Sequence, residues 1–282
     1  MSHTDSIHFR ILEDIARELS GDINFPTCMD AALLVRNTLK DPFADLKRVA
    51  QVVSVEPLIS SKLLRLANSV SYNPSGRTIT DLGVAIGRIG FNAVRTISLA
   101  VAMDQILKSR NLVKYEDIAH HAWTHSVQVA AISRVLARKL GRINPDDAMM
   151  AGMVHDIGVF YLLYRATEYE TYRNDRTAME ALLSGWHEGI GESLLFALGL
   201  PERIIDAIRD HDHTQHIETP STLRDVLYFA NLMASDDQAW MPNDLPPEES
   251  ETRDADRARY GDLIEEAAED IAELHIALSV SD

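Results

Sequence analysis

The sequence predicts an all-α protein, and three observations lead to this prediction. Apolar residues recur with helical spacing along most of the chain, as in the stretch 33–39. Asp41 with Pro42 is typical of a helix start, and Gly199 followed by Pro201 separates two helices. Alternating β-branched runs, which would indicate strands, are rare. We therefore expect a helical fold with no sheet beyond an isolated pair of residues.

Residues 1–110 are predicted to form an amino-terminal helical subdomain. Helices are expected in FPTCMDAALLVRNTLK, after Pro42, after Pro57, and twice in succession within 81–107. Asn, Pro and Gly in SVSYNPSGRT mark a loop between them. RVAQVVSV, residues 48–55, is the best strand candidate, although its neighbours resemble helices.

A second helical subdomain is predicted for residues 111–239, since the chain becomes polar around 108–117. Its expected helices are 116–140, 146–164, 175–185, 188–198, 201–211 and 221–235. Three prolines and many charges predict a loose linker at 240–259, and 260–278 predicts an acidic amphipathic helix. Residues 240–282 are therefore expected to form an acidic linker with a carboxy-terminal helix.

Charge and composition exclude several kinds of partner. The formal net charge is −16, and 13 acidic against 3 basic residues lie between Met241 and Asp282. Because no basic face remains for a phosphate backbone, DNA is not expected as a partner. No apolar run reaches the roughly 18 residues that span a bilayer, so no membrane association is expected. The single cysteine, Cys28, suits a reducing compartment and predicts a cytoplasmic protein.

The stretch MMAGMVHDIGVFYLLY, residues 149–164, places His155 and Asp156 side by side in an otherwise apolar run. Burying both groups costs several kcal/mol unless something pairs with them. Imidazole and carboxylate suit first-row transition metals, and a helical bundle builds such sites from several helices. His125, His187 and His211 lie on separate predicted helices or at their ends, so they are the further candidate ligands. His155 and Asp156 are expected on one helix, about 100° apart.

Other interpretations of these residues stay open. A buried histidine is commonly a satisfied core residue, and DHDHTQH, residues 210–216, could be a polar helix end. The His155–Asp156 pair could serve catalytic proton transfer or only tie the core together. Asn68, at the end of an apolar helix, is expected to tie the following loop through its amide rather than contact a ligand.

Several motifs together resemble the HDOD domain, the HD-related output domain of bacteria. In chain order they are LLRLANS, ITDLGVAIGRIG, WTHSVQVA, AGMVHDIG, WHEGIGESLLFALGLPERIIDAI and HDH, within residues 20–235. MVHDIG also resembles the His–Asp signature of the HD superfamily of metal-dependent phosphohydrolases. The resemblance implies an amino-terminal helical subdomain packed on an HD-like helical bundle, and a regulatory or signalling role.

The resemblance also implies a metal site. Five residues match metal-ligand positions of the related HD-GYP phosphodiesterases: His125, His155, Asp156, His187 and His211. The implied cofactor is a divalent ion of iron, manganese, zinc or nickel. The chain departs from that pattern at Asn231 in place of a late Asp, at Asp212 in place of a second His, and at Val159 in place of a Lys. HDHTQHIETP also replaces the HHExxDGxGYP segment.

From this we expect a non-catalytic or weakly catalytic signalling module that acts through a protein partner. The alternatives are a metal-dependent phosphohydrolase acting on a nucleotide or cyclic dinucleotide, and a sensor that binds a nucleotide without cleaving it. Hydrolysis would need cations beside the metal, for which Arg134, Arg165 and Arg209 are candidates. The carboxy-terminal helix is expected either to pack its apolar stripe, 263–274, on the bundle or to present it to a partner.

Overall fold

The structure, a computed structural model, describes residues 3–20, 30–234 and 246–279, and these residues contain helices and no strand. The amino-terminal half consists of α1 (His3–Ser20), α2 (Asp30–Lys40), α3 (Leu46–Ser54), α4 (Pro57–Asn68) and α5 (Leu82–Leu107). After a 3-10 helix at Arg110–Tyr115 come α6 (Glu116–Leu140), α7 (Pro145–Val154), α8 (Ile157–Ala166), α9 (Glu170–Asn174), α10 (Arg176–Ala197), α11 (Glu202–Ile208) and α12 (Leu223–Met233). The last helices are α13 (Pro247–Arg259), α14 (Gly261–Glu266) and α15 (Ala268–Leu278). This architecture confirms the predicted all-α fold class.

The strand candidate at 48–55 is wrong, because most of it lies inside α3. Asp45 caps that helix by accepting a hydrogen bond from the Arg48 backbone N–H. Val49 and Val53 are spaced one helical turn apart and are both buried. A strand would instead place them on one face together with Gln51, which is exposed.

The two helices predicted within 81–107 are present and meet at Gly90, whose non-helical backbone separates them within the element α5. The φ of Gly90 is 80°, in the left-handed region that favours glycine. By length and composition α5 could cross a membrane, but 61% of its most apolar window is buried inside the fold. It is packed as the core helix of the amino-terminal half, against α2, α3 and α4 on one side and α7 on the other.

Three boundaries differ from those predicted. The helix expected at 146–164 is broken at 155–156, and the two helices expected between 175 and 198 are the single helix α10. The loose linker expected at 240–259 is helical from Pro247 onward, as α13. The start of that linker and Cys28 lie outside the described residues.

The second half is organised around α6, which packs against α7, α12 and α15. Helix α1 also belongs spatially to this half, since it packs on α10. The hydroxyl of Tyr161 donates to Glu18 at 3.1 Å and that of Tyr169 to Asp14 at 2.5 Å. Helix α15 crosses back to contact both α4 and α6, so the carboxy-terminal stripe packs on the bundle.

Candidate metal centre

His155 and Asp156 occupy the junction between α7 and α8, so the expectation that they share one helix is wrong. α7 ends at Val154 and α8 begins at Ile157, with Asp156 at φ −97° and ψ 16°. Nε2 of His155 lies 3.3 Å from Oδ2 of Asp156, and both side chains are fully buried.

Two glycines permit the helix contacts that surround this junction. A Cβ on Gly152 would lie 2.7 Å from the Cα of Ala130 on α6. A Cβ on Gly158 would lie only 1.9 Å from the carbonyl oxygen of His187 on α10. Helices α6 and α10 therefore approach α7 and α8 at backbone distance, and they bring their own histidines to the junction.

The five predicted site residues lie together in the core. The ring centroids of His155 and His211 are 4.9 Å apart, and those of His125 and His155 are 5.2 Å apart. His187 lies 5.6 Å from His211 by the same measure. None of the five, Asp156 included, is more than 3% exposed. Their role as ligands stays a prediction.

Backbone carbonyls fix the orientation of three of the imidazole rings. Nδ1 donates to a carbonyl oxygen three or four residues earlier in each case, at 2.8 Å for His155, His187 and His211. A proton on Nδ1 leaves the Nε2 lone pair for a metal, as in most metal-binding histidines. These Nε2 atoms all point toward Asp156, which they approach at 3.3, 3.9 and 3.2 Å respectively.

Asp212 is a site residue that the prediction missed as a ligand. Its Oδ2 lies 3.0 Å from Nε2 of His187, and its Oδ1 lies 3.6 Å from Nε2 of His211. Its position directly after the candidate ligand His211 is the sequence signal for it, although comparison with the HD-GYP pattern presents this position only as the loss of a second histidine. Asp212 supplies a second buried carboxylate to the centre.

Asn231 joins the two sides of the centre by hydrogen bonds. Its Nδ2 donates to Oδ1 of Asp212 at 3.3 Å, and its Oδ1 lies 2.7 Å from Nε2 of His125. Because the amide oxygen can only accept, Nε2 of His125 is the donor in this pair. An Asp at this position would add a third negative charge, whereas Asn231 ties His125 in place without one.

Burial and neighbouring charges give the histidines and carboxylates of the centre different protonation states. Burial lowers the pKa of His155 to about 4, because Asp156 only partly offsets the desolvation, so this imidazole is neutral. Burial would also lower the pKa of His211, but Asp212 and Asp156 outweigh it and raise the pKa to about 10. Burial would raise the pKa of Asp156, yet His155 and His211 hold the pKa below its usual value. The buried carboxylates are therefore ionised, and protonated His211 supplies the positive charge beside them in the metal-free protein; a bound cation would take the place of its Nε2 proton.

The donor set fits a divalent transition metal. Ligand atoms of His125, His155 and Asp156 lie within 4.8 Å of one another, and so do those of His187, Glu188, His211 and Asp212. His155 Nε2 and Asp156 Oδ2 have no hydrogen-bond partner within the described part of the chain. A cation between these atoms would satisfy both, and imidazole nitrogens with carboxylate oxygens suit iron, manganese, zinc or nickel. Asp156 lies close to both groups of ligand atoms, so its carboxylate could bind a metal in either group.

The three cations considered for phosphate binding are engaged elsewhere. Arg134 contacts Asp146 at 3.4 Å and the hydroxyl of Tyr72 at 3.0 Å. Arg165 pairs with Glu18 and Glu168, at 3.2 and 2.8 Å. Arg209 pairs with Glu192. None of them points its charge at the centre, and Val159 is fully buried in α8.

Comparisons with known proteins agree with this architecture. An uncharacterized protein of Treponema pallidum (strain Nichols) is 24% identical over 220 residues, which are 74% of this chain and 42% of that protein. The chain thus spans less than half the length of this relative. A solved structure from Shewanella amazonensis SB2B, named "putative metal-dependent phosphohydrolase", matches with a TM-score of 0.75 at 20% identity. The match covers 97% of this chain and 100% of that one.

A second solved structure, a "putative signal transduction protein" from Marinobacter aquaeolei VT8, has a TM-score of 0.57 at 16% identity. The match covers 98% of this chain and 66% of that one. At these identities the two structures show a shared fold. The family model of the HDOD domain matches residues 25–214, about two thirds of the sequence. The chain therefore belongs to the HDOD domain family.

Proposed function

We propose that this protein is a signalling module whose buried centre holds a divalent transition metal and whose outer surface binds a protein partner. The observation that carries the metal part is the common orientation of His155, His187 and His211. In all three, Nδ1 is held by a backbone carbonyl and Nε2 lies within 3.9 Å of Asp156, with that of His187 closer still to Asp212, at 3.0 Å. A histidine that serves only core packing needs no such convergence on two buried carboxylates.

The same centre supports little or no catalysis. A metal ion bound there would supply a Lewis acid for a phosphoryl oxygen and would acidify a bound water. A phosphohydrolase also needs cations for the charge that develops in the transition state. Arg134, Arg165 and Arg209 are each paired with an acidic side chain away from the centre. The residues that would hold a metal thus lie together, whereas the three arginines considered for the transition-state charge are paired elsewhere.

The partner part of the proposal rests on an acidic surface. Helices α13, α14 and α15 expose eight acidic side chains: Glu248, Glu249, Glu251, Asp254, Asp262, Glu265, Glu266 and Glu269. Ile276 and Val70 are exposed apolar side chains on α15 and at the end of α4, at 63% and 59%. Exposed acidic and apolar side chains on these helices would suit a signalling protein with a basic, partly apolar face.

Metal analysis of the purified protein tests the first part. We expect about one equivalent or more of a transition metal, since imidazole and carboxylate ligands favour such ions. His155→Gln and Asp156→Asn should lose most of it, and chelation should lower the melting temperature, because a metal that binds only the folded state stabilises that state.

His216→Gln is the matched control, because this histidine follows the site residues by a few positions, is exposed, and belongs to none of the candidate ligand groups. It should keep its metal. Two results together would contradict the metal centre: the wild-type protein contains no metal, and His155→Ala leaves the thermal stability unchanged.

The alternative function is metal-dependent hydrolysis of a nucleotide or cyclic dinucleotide, favoured by the second carboxylate, Asp212. A turnover screen of the metal-loaded protein distinguishes the two. We expect no appreciable release of linear dinucleotide or of nucleotide product. Product formation that is abolished by Asp156→Ala would establish the enzyme instead. Tight nucleotide binding without product, together with no retained protein partner, would favour a nucleotide sensor.

A further inference from the structure

The candidate centre is sealed from solvent in this structure. The side chains of His187, Asp212 and Asp156 are 2%, 6% and 0% exposed. Asn231 is only 7% exposed. A phosphate-bearing ligand or a chelator cannot reach these groups unless some neighbouring element moves.

Helix α13 lies against the two segments that carry Asp212 and Asn231. Nη1 of Arg253 donates to the carbonyl oxygen of Asp212 at 3.2 Å, and Nε of Arg257 donates to the carbonyl oxygen of Leu232 at 2.8 Å. The hydroxyl of Thr214 donates to Glu249 at 3.3 Å. Each contact falls on the loop that follows α11 or on the end of α12. α13 therefore covers both segments beside the centre.

These contacts are polar, and no residue of α13 is buried. Helix α12, which it covers, has seven buried residues among its eleven. The hydroxyl of Tyr228 also donates to Asp256 on α13 at 3.0 Å, and like the two arginine contacts this hydrogen bond is partly buried. An element held by a few polar contacts, with no buried residue of its own, is typical of the less stable part of a fold and can detach without global unfolding. The end of α13 is anchored, since the ring of Tyr260 packs on Phe229 with centroids 4.9 Å apart. Helix α13 is therefore anchored at its carboxy-terminal end, by Tyr260, and held elsewhere by polar contacts.

We propose that α13 is a displaceable cover of the centre, held shut by Arg253 and Arg257, which must swing away before a ligand can enter. The consequence for ligand access rests on the proposed metal centre, but the motion itself does not. Displacement would release the backbone carbonyls of Asp212 and Leu232 and loosen the loop 209–217. A protein partner that binds the acidic helices could control access by the same movement.

The test compares Arg253→Ala/Arg257→Ala with the wild type by amide hydrogen exchange in metal-free protein. We expect amides of α13 and of 209–217 to exchange roughly tenfold faster in the double variant, while α6 and α8 keep their rates. Arg110→Ala/Arg142→Ala is the charge-matched control. Both of its arginines are exposed and lie outside α13. It should exchange like the wild type.

Unchanged exchange in 209–217 would overturn the cover, and so would equal acceleration in α6 and α8, which would mean global unfolding. A second measurement follows the extraction of Zn²⁺ by a coloured chelator from zinc-loaded protein. The double variant should release zinc at least about threefold faster. A protein that takes up no zinc would contradict the proposed centre, and the exchange result would still decide whether α13 opens.

Discussion

At the scale of single residues, the centre depends on groups that each serve two neighbours. Nδ1 of each of three histidines is held by a carbonyl, which leaves Nε2 directed at Asp156. Asn231 connects His125 with Asp212. Asn68 likewise connects two segments, the end of α4 and the loop that follows it. Its amide donates to the carbonyl oxygens of Leu64 and Ile79 and accepts from the Ile79 N–H, which confirms the prediction that it ties this loop.

Gly158→Ala tests the close packing at the centre. The new Cβ would lie 1.9 Å from the carbonyl oxygen of His187, so α10 must move and take His187 with it. We expect a loss of about 3 kcal/mol or more in the free energy of unfolding, at the upper end of overpacking effects. Urea unfolding followed by circular dichroism measures it.

Gly185→Ala is the matched control on α10, since its Cβ would meet nothing within 4 Å. Replacing a helical glycine by alanine there should gain up to about 1 kcal/mol. Equal stability of both variants would show that α8 and α10 are not in backbone contact.

At the scale of elements, the carboxy-terminal helix is fastened by one buried lysine. Nζ of Lys62 on α4 donates to the carbonyl oxygens of Leu278 and Ser279, at 2.7 and 2.6 Å. These carbonyls lie at the end of α15, where a helix leaves acceptors unsatisfied and favours positive charge. Lys62 is only 5% exposed, and burial lowers its pKa to about 8, although Asp104 partly opposes the shift. Lys62 therefore joins α4 to α15 at an electrostatic cost.

This pKa predicts a pH dependence of stability. In the unfolded chain a lysine titrates near pH 10.4, so between about pH 8 and that value the unfolded state binds more protons than the folded one. The free energy of unfolding should therefore rise with pH across this window, and below pH 8 the burial cost is constant. Lys62→Met should remove this rise.

The measurement is the difference in unfolding free energy between wild type and Lys62→Met from pH 7 to pH 10. Lys139→Met removes an exposed ammonium and controls for the loss of charge. A difference that stays flat with pH, or that falls, would contradict the shifted pKa of Lys62.

At the scale of the whole molecule, the first turn of α7 joins the two halves. Asp147 accepts from Arg203 on α11 at 2.7 and 2.9 Å and from Asn92 on α5 at 2.8 Å. Its neighbour Asp146 accepts from the hydroxyl of Tyr72 in the amino-terminal loop, at 2.5 Å. α7 thus carries contacts to both halves at its first turn and ends at the junction that holds His155.

The net charge of −16 predicts how a partner associates. If the partner presents a basic face, raising salt from about 50 to 500 mM should lower the association rate roughly tenfold, with a smaller effect on dissociation. Partners captured from the source cell at low salt can be measured by stopped flow. Glu265→Gln/Glu266→Gln/Glu269→Gln should weaken the salt dependence, because all three acids are exposed on or beside α14 and α15.

Glu13→Gln/Glu116→Gln/Glu170→Gln removes three exposed acids outside α13–α15 and is the control, which should leave most of the salt dependence intact. A rate that does not change with salt, or that changes equally in both variants, would exclude steering by the carboxy-terminal helices.

The sequence by itself determined the helical class and the identity of the five residues that meet in the core. Helical periodicity and caps such as Asp41–Pro42 are local properties, because neighbouring residues on one turn decide them. The cost of burying Asp156 in an apolar run is likewise visible in the sequence, and it pointed to partners elsewhere in the chain.

Tertiary structure decided what depends on contacts between distant segments. The break at His155–Asp156 occurs where α10 packs at backbone distance against Gly158, and no local pattern encodes that approach. Asp212 became a site residue only because its loop folds against α10, where His187 lies. The stretch 247–259 has too few apolar residues to predict a docked helix, and α13 is held by arginines whose acceptors are carbonyls far along the chain. Such contacts are set by packing of whole helices, which residue spacing does not specify.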